Sequence, residues 1–295
     1  MLDIRAIRAF QAVAEERSFT RAAHRLNVAQ PALSRQMREL EAGLDLVLFD
    51  RGVRPVALTA AGRVLLEHGQ RILAAMVQLH GALDRVRQGE RRKFTIGFVG
   101  STMFGLVPDL LRRFRAKAPD VDIDLIEMNT VSQIEALKSG RIDAGLGRLT
   151  LEDANVARRV IQHEALMLAV SQHHALAVGE EPVNLAELVG EKLILYPAEP
   201  RPSYADQVLS LFHDHALSPV NLLEARELQS ALGLVSAEAG VSIIPASVAK
   251  LRRDDIVYRP IRQATAVSPI ILSWRMNDSS DLLRSLLAVV PGEEG

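Results

Sequence analysis

The sequence predicts an α/β protein in three parts: an N-terminal winged helix-turn-helix, a long helix and a two-lobed α/β domain. Three observations support this division. Residues 1–58 show short helical patterns followed by a small hairpin. Residues 59–88 contain no proline and repeat apolar residues with heptad spacing. Beyond residue 93, strand-like runs alternate with helical patterns.

Composition favours a soluble globular protein. The 295 residues are 48% apolar and 24% charged, which excludes a disordered or fibrous chain. The absence of cysteine excludes disulfide scaffolds, cysteine-ligated metals and thiol catalysis. No uncharged apolar run approaches the ~18 residues of a membrane span. The N-terminus lacks the pattern of a signal peptide, so we expect a cytoplasmic protein without a membrane partner.

Charge is unevenly distributed along the chain. Residues 1–93 contain 16 Lys and Arg against 10 Asp and Glu, whereas the remainder contains 19 against 26. A basic N-terminal third on an acidic remainder indicates a polyanion-binding module joined to a different domain.

Residues 1–58, called the head below, predict three helices and a wing. The first helix has one apolar face, formed by Ile4, Ile7, Phe10 and Val13. The second opens near Ser18 or Thr20, both good N-cap residues. The third starts around Gln30 with Pro31 in its first turn, where a missing N–H costs nothing. LVLFDR and PVALT flank Gly52 and indicate a two-stranded wing.

The outer face of the third helix has the chemistry of a DNA recognition helix. It carries Gln30, Ser34, Arg35 and Arg38 opposite an apolar face. In the major groove, Arg reads guanine and Gln reads adenine through paired hydrogen bonds. On the wing, Arg51 and Arg54 would neutralise phosphates. Thr20 and Pro31 complete the candidate DNA-binding set. The alternative is that these side chains form an ordinary solvated helix face. This alternative is strongest for Arg38.

Residues 59–88 predict a helix roughly 45 Å long. A heptad seam is formed by Leu65, Ile72, Met76, Leu79, Leu83 and Val86. Gly62 and Gly69 fall on the same seam, where small residues would permit close approach of a second helix. We expect a helix that pairs two chains; the alternative is a helix that lies on its own domain. The polar run GERRK then predicts a linker.

Residues 89–295 predict two α/β lobes, because strands separated by helices indicate a parallel sheet with helices on both faces. We expect lobe I at about 91–163 and 268–295, and lobe II at about 164–267. The strand-like runs include FTIGFV, DIDLIEM, IDAGLG, LMLAV, KLILYP, VNLLEA, VSIIPAS and SPIILSW.

No motif nominates an enzyme. HExxH, GxSxG, Walker A and a complete GxGxxG are all missing. His173-His174 and His213-x-His215 lack the spacing and carboxylate partners of a metal site. The sequence therefore predicts no catalytic residue and no metal ligand.

The segment RSFTRAAHRLNVAQPALSRQMRELEAGLDLVLFDR, followed by LTAAG, resembles the winged helix-turn-helix of LysR-type transcriptional regulators. The resemblance implies a DNA-binding head, a dimerising linker helix and an effector domain similar to type 2 periplasmic binding proteins. Members of the family are typically homotetramers. One departure is Ala29, where many members have a serine that caps the recognition helix; alanine cannot make that bond, a loss of about 1 kcal/mol.

The second half is similar to the subgroup that controls catechol and benzoate degradation and responds to cis,cis-muconate. The segments that carry this likeness are IGFVGSTMFGLVP, EALKSGRIDAGLGRL, LYPAEPRPSYAD and LGLVSAEAGVSIIPAS. An acid ligand also agrees with the sequence pattern, because polar residues follow strand ends and precede helix N-termini. The candidate effector-binding residues are Gly100, Ser101, Thr102, Asn129, Thr130, Arg148, Pro202, Ser203 and Tyr204. For each hydroxyl the alternative is ordinary helix capping, and for Arg148 it is a structural salt bridge.

The expected function is therefore an effector-controlled transcription regulator. Its expected partners are double-stranded operator DNA, RNA polymerase when it activates, and further copies of itself. Besides a small carboxylate effector we expect no cofactor. Chloromuconate or another aromatic-derived acid is the alternative effector. An exported solute receptor has no use for residues 1–88, and an enzyme of this fold class would need catalytic residues that the sequence does not show.

Overall fold

The computed structural model of the chain describes residues 2–88 and 92–291. In the helix that ends at Gln88, the side chains of residues 78, 82 and 84–88 are not described. The chain forms two compact units, which comprise essentially residues 1–90 and the residues from 91 onward. A search of the described helices finds none that combines the length and apolar character required to cross a bilayer.

The N-terminal unit contains the three head helices, the wing and the long helix. Its elements are α1 (Ile4–Glu16), α2 (Phe19–Arg25), α3 (Gln30–Leu44), β1 (Phe49–Asp50), β2 (Ala57–Leu58) and α4 (Ala60–Gln88). Ser18 is the N-cap of α2, so Thr20 lies within that helix. Ala29 precedes α3 without a side-chain cap, as the sequence predicts. Asn27 has a φ of 52°, the left-handed conformation that ends α2.

The helices and the wing of the head share one apolar core. Its largest fully buried side chains are Phe10, Leu33, Met37, Leu48 and Phe49. The wing pairs antiparallel and places Phe49 opposite Leu58, so one aromatic ring of the hairpin enters the helical core. The ring of Phe10 lies 5.1 Å from that of Phe49, centroid to centroid.

The long helix α4 has two different neighbourhoods along its length. Leu65 packs against the head core and is therefore not a free member of the predicted seam. The predicted role of the seam glycines is also wrong. A Cβ on Gly62 would meet the Leu48 carbonyl oxygen at 2.2 Å, and one on Gly69 would meet Ile7 Cγ2 at 2.9 Å. These glycines permit close approach to the chain's own head, not to a partner helix.

Further along α4, most of the predicted seam is uncovered in the single chain, and Met76 is half-buried. Ile72, Leu79 and Leu83 are all exposed. The side chain of Val86 lies outside the described residues. Exposed large apolar side chains on one helix favour a partner surface of the same character.

The C-terminal unit begins with strand β3. Its elements are β3 (Arg92–Phe98), α5 (Val107–Lys117), β4 (Val121–Glu127), α6 (Thr130–Lys138), β5 (Ala144–Gly147), β6 (Val156–Ser171), β7 (Lys192–Leu195), α7 (Tyr204–Asp214), β8 (Asn221–Glu224), α8 (Leu228–Ser236), β9 (Ser242–Pro245), β10 (Ile256–Pro260), β11 (Val267–Arg275) and α9 (Asp281–Leu287). A short 3₁₀ helix, Gly100–Phe104, follows β3.

The main sheet is mixed, whereas the sequence pattern predicted a parallel one. Strand β3 pairs parallel with β4 and β5, but β11 pairs antiparallel with both β5 and β6. The first half of β6 pairs with β11, and its second half pairs with β9 and β10. Strand β6 therefore runs past the predicted lobe boundary at 163/164, whereas β11 begins at the boundary predicted at 267/268 and packs in the core of lobe I. Two separate apolar cores lie on either side of this crossing.

The uncovered part of α4 generates a prediction about assembly. Replacing Leu79 by Asp would place an unpaired charge in the dimer contact, so Leu79→Asp is expected to dissociate the dimer, as measured by sedimentation velocity. Val77→Asp is the matched control, because Val77 is equally exposed (52% against 51% for Leu79) but lies off the seam. An unchanged mass for Leu79→Asp, or equal dissociation of both variants, would contradict the seam.

Candidate functional site

The recognition face lies on α3, opposite its buried residues. Leu33, Met37 and Leu40 are buried in the head. On the other side, the Gln30 side-chain amide donates to Ser34 Oγ at 2.8 Å. Arg35 Nε donates to Glu39 Oε1 at 2.8 Å in an exposed i,i+4 pair, which is weak and exchangeable. Arg38 is exposed as well. The four predicted side chains therefore lie together on one accessible surface.

The two wing arginines, Arg51 and Arg54, differ in their contacts within the head. Arg51 donates to Glu41 Oε2 at 2.7 Å, and its guanidinium carbon lies 5.5 Å from the centre of the Phe19 ring. Glu41 also accepts from the backbone N–H groups of Leu48 and Phe49, so Arg51 helps to hold the wing against α3. Arg54 is exposed at the wing tip. Sequence reasoning treated the two as equivalent phosphate ligands, but Arg51 is already engaged within the head.

The remaining head residues of the predicted set take different places. Thr20 is exposed in the first turn of α2, and Pro31 lies in the first turn of α3. Both are at helix N-termini, which is where backbone N–H groups are available to a phosphate.

In the C-terminal unit, three polar segments meet at one edge of the sheet. Because β3 lies between β4 and β5 in parallel pairing, the carboxyl ends of all three strands are neighbours. The segments that follow them are 100–102, 129–130 and 147–148. This is the edge at which open α/β sheets bind ligands.

Arg148 is the centre of this edge. Its side chain is only 2% exposed. Nε donates to Ser101 Oγ at 2.8 Å, and Nη2 donates to Glu164 Oε2 at 2.6 Å. Nη1 lies 3.4 Å from Ser268 Oγ, and the backbone N–H donates to Thr130 Oγ1 at 3.3 Å. One guanidinium and its backbone thus connect four polar side chains.

The partner carboxylate, Glu164, was not among the predicted residues. It lies in the middle of β6 and is 6% exposed in its side chain. Its second oxygen, Oε1, accepts from the Ser247 backbone N–H at 2.6 Å. A buried ion pair with all its oxygens bonded is stable in place, whereas removing one partner typically costs about 3–5 kcal/mol. Arg148 therefore forms the structural salt bridge that the sequence left as its alternative role.

This pairing changes what Arg148 can do for a ligand. Its charge is balanced by Glu164, so the guanidinium does not present an uncompensated positive charge. Since Ser101 Oγ accepts from Arg148 Nε, the Ser101 hydroxyl proton is directed elsewhere and can be donated. Arg148 is a positioning residue that prepares Ser101 as a donor.

Three other predicted residues in lobe I, Gly100, Thr102 and Asn129, take part in the local fold. The Thr102 hydroxyl donates to the Val99 carbonyl oxygen at 2.7 Å, so it has no proton left for a carboxylate. Asn129 Oδ1 accepts from the Ser132 N–H at 2.8 Å as the cap of α6. Gly100 leaves room for Glu127, because a Cβ there would lie 2.3 Å from Glu127 Oε1. The Thr102 hydroxyl therefore cannot donate to an effector. The effector-binding roles of Gly100 and Asn129 stay predictions, because the cap at Asn129 does not use its side-chain amide N–H groups.

The helix α7 faces the same region from lobe II. Ser203 is its N-cap: Oγ accepts from the Ala205 N–H at 3.2 Å and donates to the Pro197 carbonyl oxygen at 3.0 Å. The Ser203 hydroxyl therefore has the helix-capping role that the sequence left as its alternative. Gln207 on α7 accepts from Ser268 Oγ at 2.9 Å, which connects α7 through Ser268 to Arg148.

The two other predicted residues of this segment are placed differently. Tyr204 is buried, and its hydroxyl donates to the Ile243 carbonyl oxygen at 3.3 Å. Its ring lies 5.2 Å from that of Tyr196, centroid to centroid. Pro202 is exposed.

A separate cleft of about 470 Å³ lies on the other side of Glu164. It is lined by Gly105, Leu106, Asp109, Gln162, His163, Glu164, Ala165, Ala246, Ser247 and Lys250. None of the predicted effector residues belongs to it. Among the side chains that the structure describes, no group of three or more His, Cys, Asp or Glu could hold a metal ion.

Comparison with known proteins gives a family match to each part of the chain. Residues 4–63 match the profile described as bacterial regulatory helix-turn-helix protein, lysR family. Residues 87–293 match the profile described as LysR substrate binding domain.

Two relatives match over almost the whole chain. The chain is 46% identical over 279 residues to the probable cat1 operon transcriptional activator of Acinetobacter lwoffii, covering 95% of this chain and 92% of that protein. It is 40% identical over 290 residues to the HTH-type transcriptional regulator BenM of Acinetobacter baylyi, covering 98% of this chain and 95% of the relative.

Two solved structures also match this chain in fold and in sequence. The effector binding domain of BenM with its effector benzoate is 40% identical with a TM-score of 0.65, and the match covers 68% of this chain and 91% of that one. Full-length CbnR complexed with its target DNA is 32% identical with a TM-score of 0.65, covering 98% of this chain and 99% of that one. The two curated relatives and CbnR are named as regulators, and none of the three is named as an enzyme.

Proposed function

The chain belongs to the LysR family of bacterial regulatory helix-turn-helix proteins, and from this premise we propose that cis,cis-muconate is the effector through which it controls genes of aromatic catabolism. The head would bind operator DNA, and the C-terminal unit would bind the effector. The observation that carries the proposal is the bond from Arg148 to Ser101, which presents a hydroxyl donor at the ligand edge of the sheet. Chloromuconate or another aromatic-derived acid remains the alternative effector.

The relatives support an aromatic-catabolism role. One is named as an activator of the cat1 operon, and another is solved with benzoate as its effector. The second name states that the effector of that protein is benzoate, a small organic acid, which supports an acid as the signal here.

The site geometry supports a carboxylate that is bound by hydroxyl donors and by a helix N-terminus. The hydroxyl of Ser101 and the N-terminus of α6 at Thr130 lie on either side of Arg148. Since Arg148 is balanced by Glu164, one bound carboxylate would be stabilised by hydrogen-bond donors and by the helix N-terminus. A second carboxylate would lie toward lobe II and the N-terminus of α7.

The link from effector to transcription would pass through the lobes. A ligand changes the state of a protein only if it binds one arrangement more tightly than another. Strand β6 runs through both lobes, so closure around a dicarboxylate would act on both at once. We expect the working form to be a cytoplasmic homotetramer that contacts RNA polymerase when it activates.

The recognition face generates a prediction about DNA. Arg35→Ala is expected to cost roughly 1–3 kcal/mol of base discrimination, because it removes a bidentate base contact. Arg54→Ala is the control; it removes a phosphate contact and should weaken all sequences alike and lower the salt slope. Affinity for operator and random duplexes would be measured by fluorescence anisotropy at several salt concentrations. Equal loss on both duplexes for Arg35→Ala would contradict its role.

The Ser101 donor generates a prediction about the effector. Ser101→Ala is expected to weaken muconate binding at least about tenfold in calorimetry, because it removes a hydrogen bond to a charged group. Operator binding by the unliganded protein should stay unchanged. Ser285→Ala is the control, since the Ser285 hydroxyl bonds only within its own helix α9 at 2.8 Å. Equal affinity of Ser101→Ala and wild type would remove Ser101 from the site, and no heat with wild type would remove muconate.

A further inference from the structure

Tyr196 carries a buried hydroxyl that the fold does not use. The residue directly follows β7 and is 6% exposed. Within the described part of the chain, its hydroxyl is buried and has no hydrogen-bond partner. Buried polar groups in native proteins are nearly always bonded, so an unpaired one needs an explanation, and its position in the fold decides whether that explanation is a ligand.

Tyr196 stands at the edge of lobe II where parallel strands end, which is the edge at which such sheets bind ligands. Strands β7 and β8 pair parallel, and Tyr196 stands at the carboxyl end of β7. Its ring packs on Tyr204, the first residue of the eleven-residue helix α7, at a centroid distance of 5.2 Å. The next residue, Pro197, accepts the Ser203 hydroxyl, which fixes this loop against the N-terminus of α7. Lobe II thus repeats the arrangement of lobe I, a strand end beside a helix N-terminus.

Among the hydroxyls of this edge in lobe II, that of Tyr196 is free to donate. The Ser203 hydroxyl donates to Pro197, and the Tyr204 hydroxyl donates to the Ile243 carbonyl oxygen. Burial raises the pKa of the Tyr196 phenol, and the Glu164 charge adds to this, whereas the Arg148 charge and the neighbouring Tyr204 hydroxyl oppose it in part. The phenol therefore keeps its proton at neutral pH and can donate it to a carboxylate oxygen in a short, charge-assisted bond.

We propose that Tyr196 donates a hydrogen bond to the carboxylate of the effector that Ser101 and Thr130 do not hold, and thereby selects dicarboxylates over monocarboxylates. This inference rests on the proposed function and adds a specificity residue to it. A monocarboxylate with a methyl group at that end would close the site around a phenol that still has no partner. Sites built around a polar contact discriminate strongly against ligands that lack it.

The test compares two ligands and two variants of the full-length chain by calorimetry. The ligands are cis,cis-muconate and the hexa-2,4-dienoate of the same double-bond geometry, in which a methyl group replaces one carboxylate. The variants are Tyr196→Phe and, as the matched control, Tyr258→Phe. Tyr258 lies on β10 and also has a buried hydroxyl with no partner among the described residues.

Wild type and Tyr258→Phe should both prefer muconate. Tyr196→Phe should bind muconate about 10- to 100-fold more weakly, bind the dienoate as wild type does, and so lose the preference. Its thermal midpoint without ligand should equal or exceed that of wild type, because the variant removes an unpaired buried hydroxyl.

Three results would overturn the inference. Unchanged muconate affinity in Tyr196→Phe would remove the contact. An equal loss for both ligands would make Tyr196 a wall of the cleft and not a carboxylate donor. If wild type binds neither ligand, the proposed effector fails first and the inference falls with it, a result distinct from the other two.

Discussion

The buried ion pair between Arg148 and Glu164 is the interaction on which the C-terminal unit depends. It joins the end of β5 to the middle of β6, the strand that runs through both lobes. Burying two charges is costly, and it is tolerated here because each guanidinium nitrogen and each carboxylate oxygen has a hydrogen-bond partner. Ser101 and Ser268 surround the guanidinium, and the Ser247 N–H occupies the second oxygen of Glu164.

This internal neutralisation decides how the protein can recognise an acid. An arginine with a free charge would bind many anions with little selectivity. With its charge balanced, Arg148 instead orients Ser101, and recognition falls to hydroxyl donors and helix N-termini. The same pair also reaches toward lobe II, through Ser268 to Gln207 on α7. Ligand binding and lobe arrangement therefore share one hydrogen-bond network.

Much of the head follows from the sequence because its signals are local. The spacing of Leu33, Met37 and Leu40 predicts both α3 and the face that it buries. The long helix was also predictable, but the role of Gly62 and Gly69 was not. Heptad position alone does not tell whether a small residue faces a partner chain or the chain's own head.

The effector site was predictable in location but not in bonding. The sequence pattern predicted Ser101, Thr130 and Ser203 at strand ends or helix N-termini that face one cleft. Whether a hydroxyl can still donate to a ligand depends on its hydrogen-bond partners, and tertiary packing decides which partners it has. Glu164 was missed because the segment RRVIQHE does not alternate as a half-buried strand should; it belongs to β6, where tertiary pairing overrides local pattern. Tyr196 gave no sequence signal beyond its place after an apolar run.

The most direct test of this account is the stability of Glu164→Gln measured by thermal unfolding of the unliganded protein. The substitution keeps the shape and leaves Arg148 buried without its counter-charge. The expected loss is about 3–5 kcal/mol, equivalent to a midpoint lower by roughly 6 °C or more. Glu152→Gln is the control, because Glu152 pairs with Arg158 at 3.0 Å on the surface, and it should cost less than about 1 kcal/mol. If Glu164→Gln unfolds no earlier than Glu152→Gln, the buried pair does not hold the site together and the account is wrong.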